Sequence, residues 1–576
     1  MTATADSLYR GFRENYLDHE SLTAQLTAWA EAYPGFVRLQ SLAKTGEGRD
    51  LWLLTVGPDP ERRRPAAWVD GNMHALEVSG SSAALAIAES MIRLHAEPAA
   101  AATLGLAQGV AERLRDVLFY VMPRMSPDGA ERVLKTGRFL RSVPHDGELP
   151  RERAYWRVGD VDGDGLSLMM RIEDPARDYV ESREFPGRML LREIDDEGPF
   201  YRLYPEGFIE NFDGETVPAP FFLDDNPTDL NRNFPHSWMP PHEQDGAGDY
   251  PMSETESRAV VEFTSARPNI FAWLNLHTFG GVFIRPLGHK PDNEMDPGDL
   301  AVFRQIEAWG ERYTGYPTVS GFEEFTYKPN KPLHGDLTDY AYHHRGCIAY
   351  VCELWDLFEQ VGLPRPKRFV DRYTRLDRAE AEKIYRWDAE HNDERLAGRW
   401  RPFHHPQFGA LEVGGPDPRI GIWNPPPDRL AEVCAGEAAA FLRVAAMAPK
   451  LELKCTVEPL AEGLHRVRCE IANLGYLPTC ILESARKLDW NEPVNVSVEA
   501  EGCAVEGGAK PRTAVGHLEG WGRGRHSGAS AVYYQTSRGN GHRASLSWLV
   551  RGQGTLTVRA GSPRCGWLTR ELRLGR

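Results

Sequence analysis

Residues 71–80 read GNMHALEVSG. His74 and Glu77 are separated by two residues, a spacing that lets both side chains share one face of a helical turn and grip a single metal ion. A polar pair at the head of an ordinary helix has the same pattern. A zinc hydrolase takes three protein ligands, keeps one position open for water, and often draws the third ligand from a distant strand. His277, at the end of the apolar run IFAWLNLHTF, is the best-placed candidate. A lone histidine there can equally be a satisfied strand-end residue. Glu353 lies in the apolar run CIAYVCELW. A carboxylate is expensive to bury without a partner, so its position points to function, against the reading of a strand-end glutamate at the surface.

Five segments follow one another along the chain: HALE, SPDGAERVLKTGRFLRSVP, TDLNRNFP, LHTF and HGDLTDYAYHHRGCIAYVCELWD. In that order, with these local spacings, they resemble the zinc metallocarboxypeptidases of the carboxypeptidase A, or funnelin, type, as a bacterial-type member with a long insertion. The resemblance covers most of the span from about Tyr16 to Asp356, supported by the hairpin GEGRDLW and the PDG turn. It implies Zn²⁺ held by His74, Glu77 and His277, a ligand set that lowers the pKa of bound water towards ~7. It also implies that Asp229 accepts the outer N–H of His74 and fixes its tautomer. Glu353 matches the general base. Arg141 matches the arginine that steadies the scissile carbonyl, with Arg138 its near rival. Asn231 and Arg232 match the clamp on a substrate's free α-carboxylate, which a guanidinium fork meets bidentately. Such a clamp favours removal of a C-terminal residue over internal cleavage. Tyr327 is the nearest candidate for the family's covering tyrosine, although His334 lies closer to the family position. Thr338 falls at the selectivity position of the pocket floor. Asp336 beside it either biases the pocket towards lysine, arginine or an amino-bearing side chain such as diaminopimelate, or is a solvated loop charge. Two departures are Phe279, where the family often has tyrosine, and Leu76, where some members have arginine.

The run DVDGDG sets Asp160, Asp162 and Asp164 at the alternating positions of a calcium loop, with Gly165 at the sharp turn. Its twelfth position is Arg171, which excludes an EF-hand and leaves Glu173 or Asp174 to supply an oxygen to Ca²⁺; a solvated Asp/Gly turn is the other reading. The pairs His343–His344 and His404–His405 have no spaced partner and read as structural. The eight cysteines contain no CxxC pair and read as reduced thiols, with a disulfide among the four beyond Cys455 as the alternative for an exported chain.

The elements that must hold these residues follow from periodicity. SLTAQLTAWAEAYP, SSAALAIAESMIRLHAE and RLAEVCAGEAAAFLRVAAMAP have helical spacing, whereas AAWVD, VLFYVMP, IFAWLNLHTF and CIAYVCELW are nearly continuous apolar strands. Strands of that kind, separated by helices, predict an α/β fold: a mixed, mostly parallel sheet covered by helices on both faces. A Gly/Pro/Asp-rich stretch at about 145–225 reads as an elaborated insertion without a core of its own. After Pro449 the pattern alternates in short strands, among them RASLSWLVRG and TLTVRAG, and predicts a small all-β sandwich. The expected division is a catalytic domain at 1–448 and a β-domain at 449–576. A net charge of −16 argues against a nucleic-acid binder. The N-terminal stretch lacks an apolar signal core and no run is long enough to span a bilayer, so a soluble cytoplasmic protein without a membrane partner is the default. The sequence leaves the oligomeric state open. The expected partner is a peptide with a free C-terminal carboxylate. Two other readings stand beside it: a carboxypeptidase or amidase acting on peptidoglycan stem peptides, and a non-catalytic peptide-binding protein on the same scaffold.

Overall fold

The apolar runs form the middle of an eight-stranded sheet. Its order is Val37–Lys44, Asp50–Val56, Leu118–Met122, Ala66–Gly71, Ile270–Thr278, Ile348–Leu354, Val282–Arg285, Thr318–Ser320. The computed structural model describes residues 4–97, 99–145, 152–224, 226–328, 331–508, 510, 512–525 and 537–575. The four inner strands from Leu118–Met122 to Ile348–Leu354 run parallel. Antiparallel pairs flank them on both sides. Alternate residues of one strand face opposite layers. Thus Ala67 and Val69 join the apolar cluster beneath the helices Ser79–Ala96 and Pro427–Ala445, while Ala66 and Trp68 join the cluster beneath Thr255–Ser265 and Leu337–His343. Both faces are covered, which is why these strands carry no polar alternation.

The region expected to lack a core has one. Trp156, Met170 and Ile209 pack with Leu411 and Val413, which arrive from the hairpin Arg401–His405 and Gly409–Gly414. That hairpin completes a six-stranded sheet with Met169–Glu173, Phe200–Pro205, Tyr179–Glu181 and Met189–Leu191. The apolar residues that make this core come from two stretches some 200 residues apart, so neither looks like a core alone.

The described strands from Leu451 onward pair antiparallel and pack around Val467, Ile471, Val496 and Val558. RASLSWLVRG and TLTVRAG are one strand, Arg543–Ser562, not two. Gly552 and Gly554 hold φ of 101° and 156°, so the glycines that resembled a turn bend a continuous strand instead. Arg564, in the turn after Arg543–Ser562, donates to the carbonyl oxygens of Ile270 (2.5 Å), the first residue of a central strand, and of Arg345 (2.9 Å). It therefore braces the start of the His277 strand. Among the described residues no helix is long and apolar enough to cross a membrane.

Candidate active site

Three adjacent parallel strands end at one edge of the sheet, and each delivers chemistry there. His277 on Ile270–Thr278 is the register partner of Glu353 on Ile348–Leu354, and Leu276 pairs with Gly71 at the end of Ala66–Gly71. The carboxyl ends of parallel strands are where α/β sheets open a crevice. Beyond Gly71 the chain turns through Asn72, whose φ of 54° is tolerated by asparagine and whose Nδ2 donates to the carbonyls of His74 (2.8 Å) and Ala75 (3.1 Å). A Cβ on Gly71 would lie 2.5 Å from the Gly80 carbonyl oxygen. Only glycine lets the helix begin so close to the strand end, which explains why a glycine stands at each end of GNMHALEVSG.

The donor atoms converge. His74 Nδ1 lies 2.8 Å from Glu77 Oε1, His277 Nδ1 lies 2.9 Å from Glu77 Oε2, and the two Nδ1 atoms are 3.1 Å apart. Each ring is held from behind: His74 Nε2 donates to Asp229 Oδ1 (3.0 Å) and His277 Nε2 to Asn275 Oδ1 (2.5 Å). With the proton on Nε2, each Nδ1 turns its lone pair inward. Two inward lone pairs beside a carboxylate are mutually repulsive unless a cation lies among them. A tetrahedral site with Zn–N bonds of ~2.0–2.1 Å has donor edges of roughly 3.3 Å, so these three residues fit zinc.

Asp229 is the hub behind the cluster, also accepting from Arg141 Nε (2.9 Å) and the Asn231 backbone N–H (2.8 Å). Burial alone would raise its pKa, but the charges of Arg141 and His74 outweigh burial and hold its carboxyl well below the usual range. Sequence reasoning passed over Asn275 and Asp70. Asn275 stands two residues before His277, on the same face of the strand, and donates in turn to the buried Asp70. Asp70 Oδ2 accepts from the indoles of Trp68 and Trp273, each at 2.7 Å. The available signals were an Asn-x-His spacing and an aspartate ending an apolar strand, but which atom each faces depends on strand pairing.

Glu353 Oε2 is buried and has no hydrogen-bond partner among the described residues. Burial, then the nearby Glu77 carboxylate, push its pKa well above the ordinary range, against the pull of Arg141. These groups line a cavity of about 440 Å³ with Arg141, Asn231, Arg232, Tyr327, Asp336 and Thr338. Arg138 and His334, the rivals of Arg141 and Tyr327, are not among the lining residues. Arg141 NH1 comes within 3.8 Å of Glu77 Oε1. Arg232 donates to the Asn231 carbonyl (2.6 Å) and forms no ion pair with an acidic side chain among the described residues. Its loop is seated against Gly335, where a Cβ would lie 2.3 Å from the Arg232 carbonyl oxygen. Tyr327 is 49% exposed at the rim. Phe279 packs on Trp423 (5.3 Å between ring centres) in an apolar wall. Leu76 is buried and does not line the cavity.

At the cavity's other end, Asp336 Oδ1 caps the helix Leu337–His343 by accepting from the Asp339 N–H (2.9 Å) and also takes the Thr338 hydroxyl (2.8 Å). Its Oδ2 is buried without a partner, and burial plus the neighbouring Asp339 push its pKa up to about 7. Asp336 is therefore a buried cavity-lining acid, not a solvated loop charge.

Two expectations need correction. The carboxylates of Asp160, Asp162 and Asp164 accept from backbone N–H groups of their own loop, and Asp164 also turns to Arg401 (2.8 Å). Glu206, not Asp164, Glu173 or Asp174, approaches Asp160 and Asp162. The loop thus reads as a hydrogen-bonded Asp/Gly turn, and calcium gains no support. His343 meets His236 and His289, which its sequence neighbourhood does not show, as well as Asp339 one helical turn before it. His405 is structural, with Nε2 donating to the Gly207 carbonyl (3.0 Å).

Residues 22–160 and 223–375, just over half of the chain, match the family described as zinc carboxypeptidase. Residues 450–573 match a domain of unknown function (DUF8731). Mouse carboxypeptidase D is 31% identical over 110 residues, which is 19% of this chain and 7% of that protein. A protein named inactive metallocarboxypeptidase ECM14, from Ajellomyces capsulatus (strain H143), is 28% identical over 142 residues, 24% of this chain and 22% of that one. The chain thus spans well under a third of the length of these curated relatives. Among solved structures, bovine thrombin-activatable fibrinolysis inhibitor in complex with tick carboxypeptidase inhibitor aligns at 14% identity and a TM-score of 0.42, over 75% of this chain and 97% of that one. By its family match, this chain is a member of the zinc carboxypeptidase family.

Proposed function

We propose that the protein is a zinc-dependent metallocarboxypeptidase that removes the C-terminal residue of peptides. The observation that carries this reading is the placing of Arg232, without an acidic partner among the described residues, in the same cavity as the His74–Glu77–His277 cluster and Glu353. A guanidinium free to meet a carboxylate positions a chain end, and an internal peptide bond has no use for it. Zinc on the three donors would polarise a peptide carbonyl and lower the pKa of water towards ~7. Asp229 and Asn275 orient the ligating rings. Arg141 offers its guanidinium to the oxygen on which negative charge develops. Glu353, lacking a partner of its own, takes the proton of the attacking water and delivers it to the leaving amine. Asn231 shares the carboxylate with Arg232, and Tyr327 covers the bound residue from the rim.

The test is mass spectrometry of a peptide library digest, with each peptide carrying a free or an amidated C-terminus, with and without a chelator. Stepwise loss of residues from the free-acid peptides alone, abolished by chelation, is expected. Internal cleavage, or equal trimming of amidated peptides, would remove the carboxylate-clamp reading. Cell-wall stem peptides present a similar free carboxylate and belong in the same digest. The non-catalytic reading draws on the relative named inactive. Retention of a partnerless Glu353 beside the cluster speaks for activity here.

Asp336 points the substrate class towards a basic or amino-bearing C-terminal side chain, because a cation there would give its lone Oδ2 a partner. Asp336→Asn keeps a helix-capping oxygen while removing the charge. It is expected to lower kcat/KM for C-terminal lysine or arginine by about 10- to 100-fold, with little change for leucine. An unchanged preference ratio would exclude Asp336 from selectivity.

A further inference from the structure

We propose that His236, His289, Asp339 and His343 form a second binding site, separate from the His74–Glu77–His277 cluster, for a divalent transition metal of zinc's class. One ligand atom from each of the four lies within 4.8 Å of the other three. Three elements supply them. Asp339 and His343 are four apart on the helix Leu337–His343, and so share one of its faces. His289 follows the strand Val282–Arg285, and His236 follows the Leu230–Arg232 turn. Three imidazoles and one carboxylate are the nitrogen and oxygen donors that suit zinc, cobalt or nickel.

The internal geometry has the features of the catalytic cluster. His289 Nδ1 lies 2.7 Å from Asp339 Oδ2, matching the 2.8 Å between His74 Nδ1 and Glu77 Oε1. Asp339 is fully buried and its carboxylate is steadied by the Gly288 N–H (3.1 Å), as a ligating carboxylate is oriented by a neighbouring donor. The rings of His236 and His343 stack with centres 4.0 Å apart and planes 12° from parallel. The Nε2 atom of each is buried with no hydrogen-bond partner among the described residues. Buried imidazole nitrogens are ordinarily satisfied, and two orphaned ones in a single cluster call for a shared partner. A metal ion supplies it.

The location says what the ion would do. His236 lies four residues beyond Arg232, His289 follows the cavity-lining Gly288, and Asp339 and His343 belong to the helix that begins beside Asp336 and Thr338. A metal bound to all four would staple together the three segments that shape the substrate end of the cavity, without entering it.

Cobalt(II) is the probe. The full-length protein, stripped of metal, is titrated with Co²⁺ while visible absorption and bound metal are recorded, with circular dichroism reporting the fold. The wild type is expected to bind about two equivalents and the variants His343→Gln and His289→Gln about one each. The double variant His74→Ala/His277→Ala, which dismantles only the other cluster, is expected to keep about one equivalent with the intense visible bands of low-coordinate cobalt. A wild type whose bound cobalt is lost entirely in His74→Ala/His277→Ala overturns the proposal, as does full wild-type binding by folded His343→Gln and His289→Gln. If those two variants do not fold, the double variant decides: no cobalt bound to it overturns the second site, and about one equivalent upholds it.

Discussion

Glu353→Gln is expected to lower kcat by about 10²- to 10⁴-fold, the range that general acid–base catalysis contributes, with KM changed only a few-fold. Glutamine preserves the shape of the side chain and the backbone pairing of Glu353 with His277 and Val282 on its two neighbouring strands. What it removes is the charge of a carboxylate whose Oε2 is buried without a partner among the described residues. Burial and Glu77 both disfavour the charge of the glutamate and push its pKa above the ordinary range. A divalent cation on the adjacent donors would offset Glu77 and favour the ionised carboxylate that a base requires. Steady-state kinetics with parallel measurement of bound zinc checks this. A variant with full zinc content and a kcat within about threefold of wild type would take Glu353 out of proton transfer.

Arg141→Ala is expected to lower kcat by about 10²- to 10³-fold through loss of a donor to the developing oxyanion, and to weaken zinc binding as well. The second effect is particular to this arrangement. Arg141 Nε bonds Asp229, and Asp229 in turn orients His74. Without the guanidinium, the buried Asp229 loses the largest influence holding it ionised. Loss of a group that orients a ligand typically costs about 10- to 100-fold in metal affinity. Arg141→Lys retains a charge but not the fork, so it should recover part of the zinc affinity and little of kcat. Competition against a chromophoric chelator, alongside kinetics, separates the two effects. Unaltered kcat in Arg141→Ala would show that the oxyanion is stabilised elsewhere.

The sequence alone determined the central sheet and the family of the site. Apolar strands without alternation admit only a covered sheet, and His74, Glu77, His277 and Glu353 each stand in a short segment that the fold brings to one cavity. Their meeting at one edge follows from parallel strands set side by side. Tertiary structure decided whatever depended on residues far apart in the chain. The core of the inserted region needs Leu411 and Val413, more than 200 residues beyond Met170 and Ile209. Asn275 acquires a role only when its strand pairs with that of Asp70. His343 looked isolated because its partners His236 and His289 come from other loops, and the choice between a pocket acid and a loop charge for Asp336 was made only when the fold buried it at the cavity wall. Periodicity and local spacing report which face a residue takes. Only the packing of distant segments reports what that face meets.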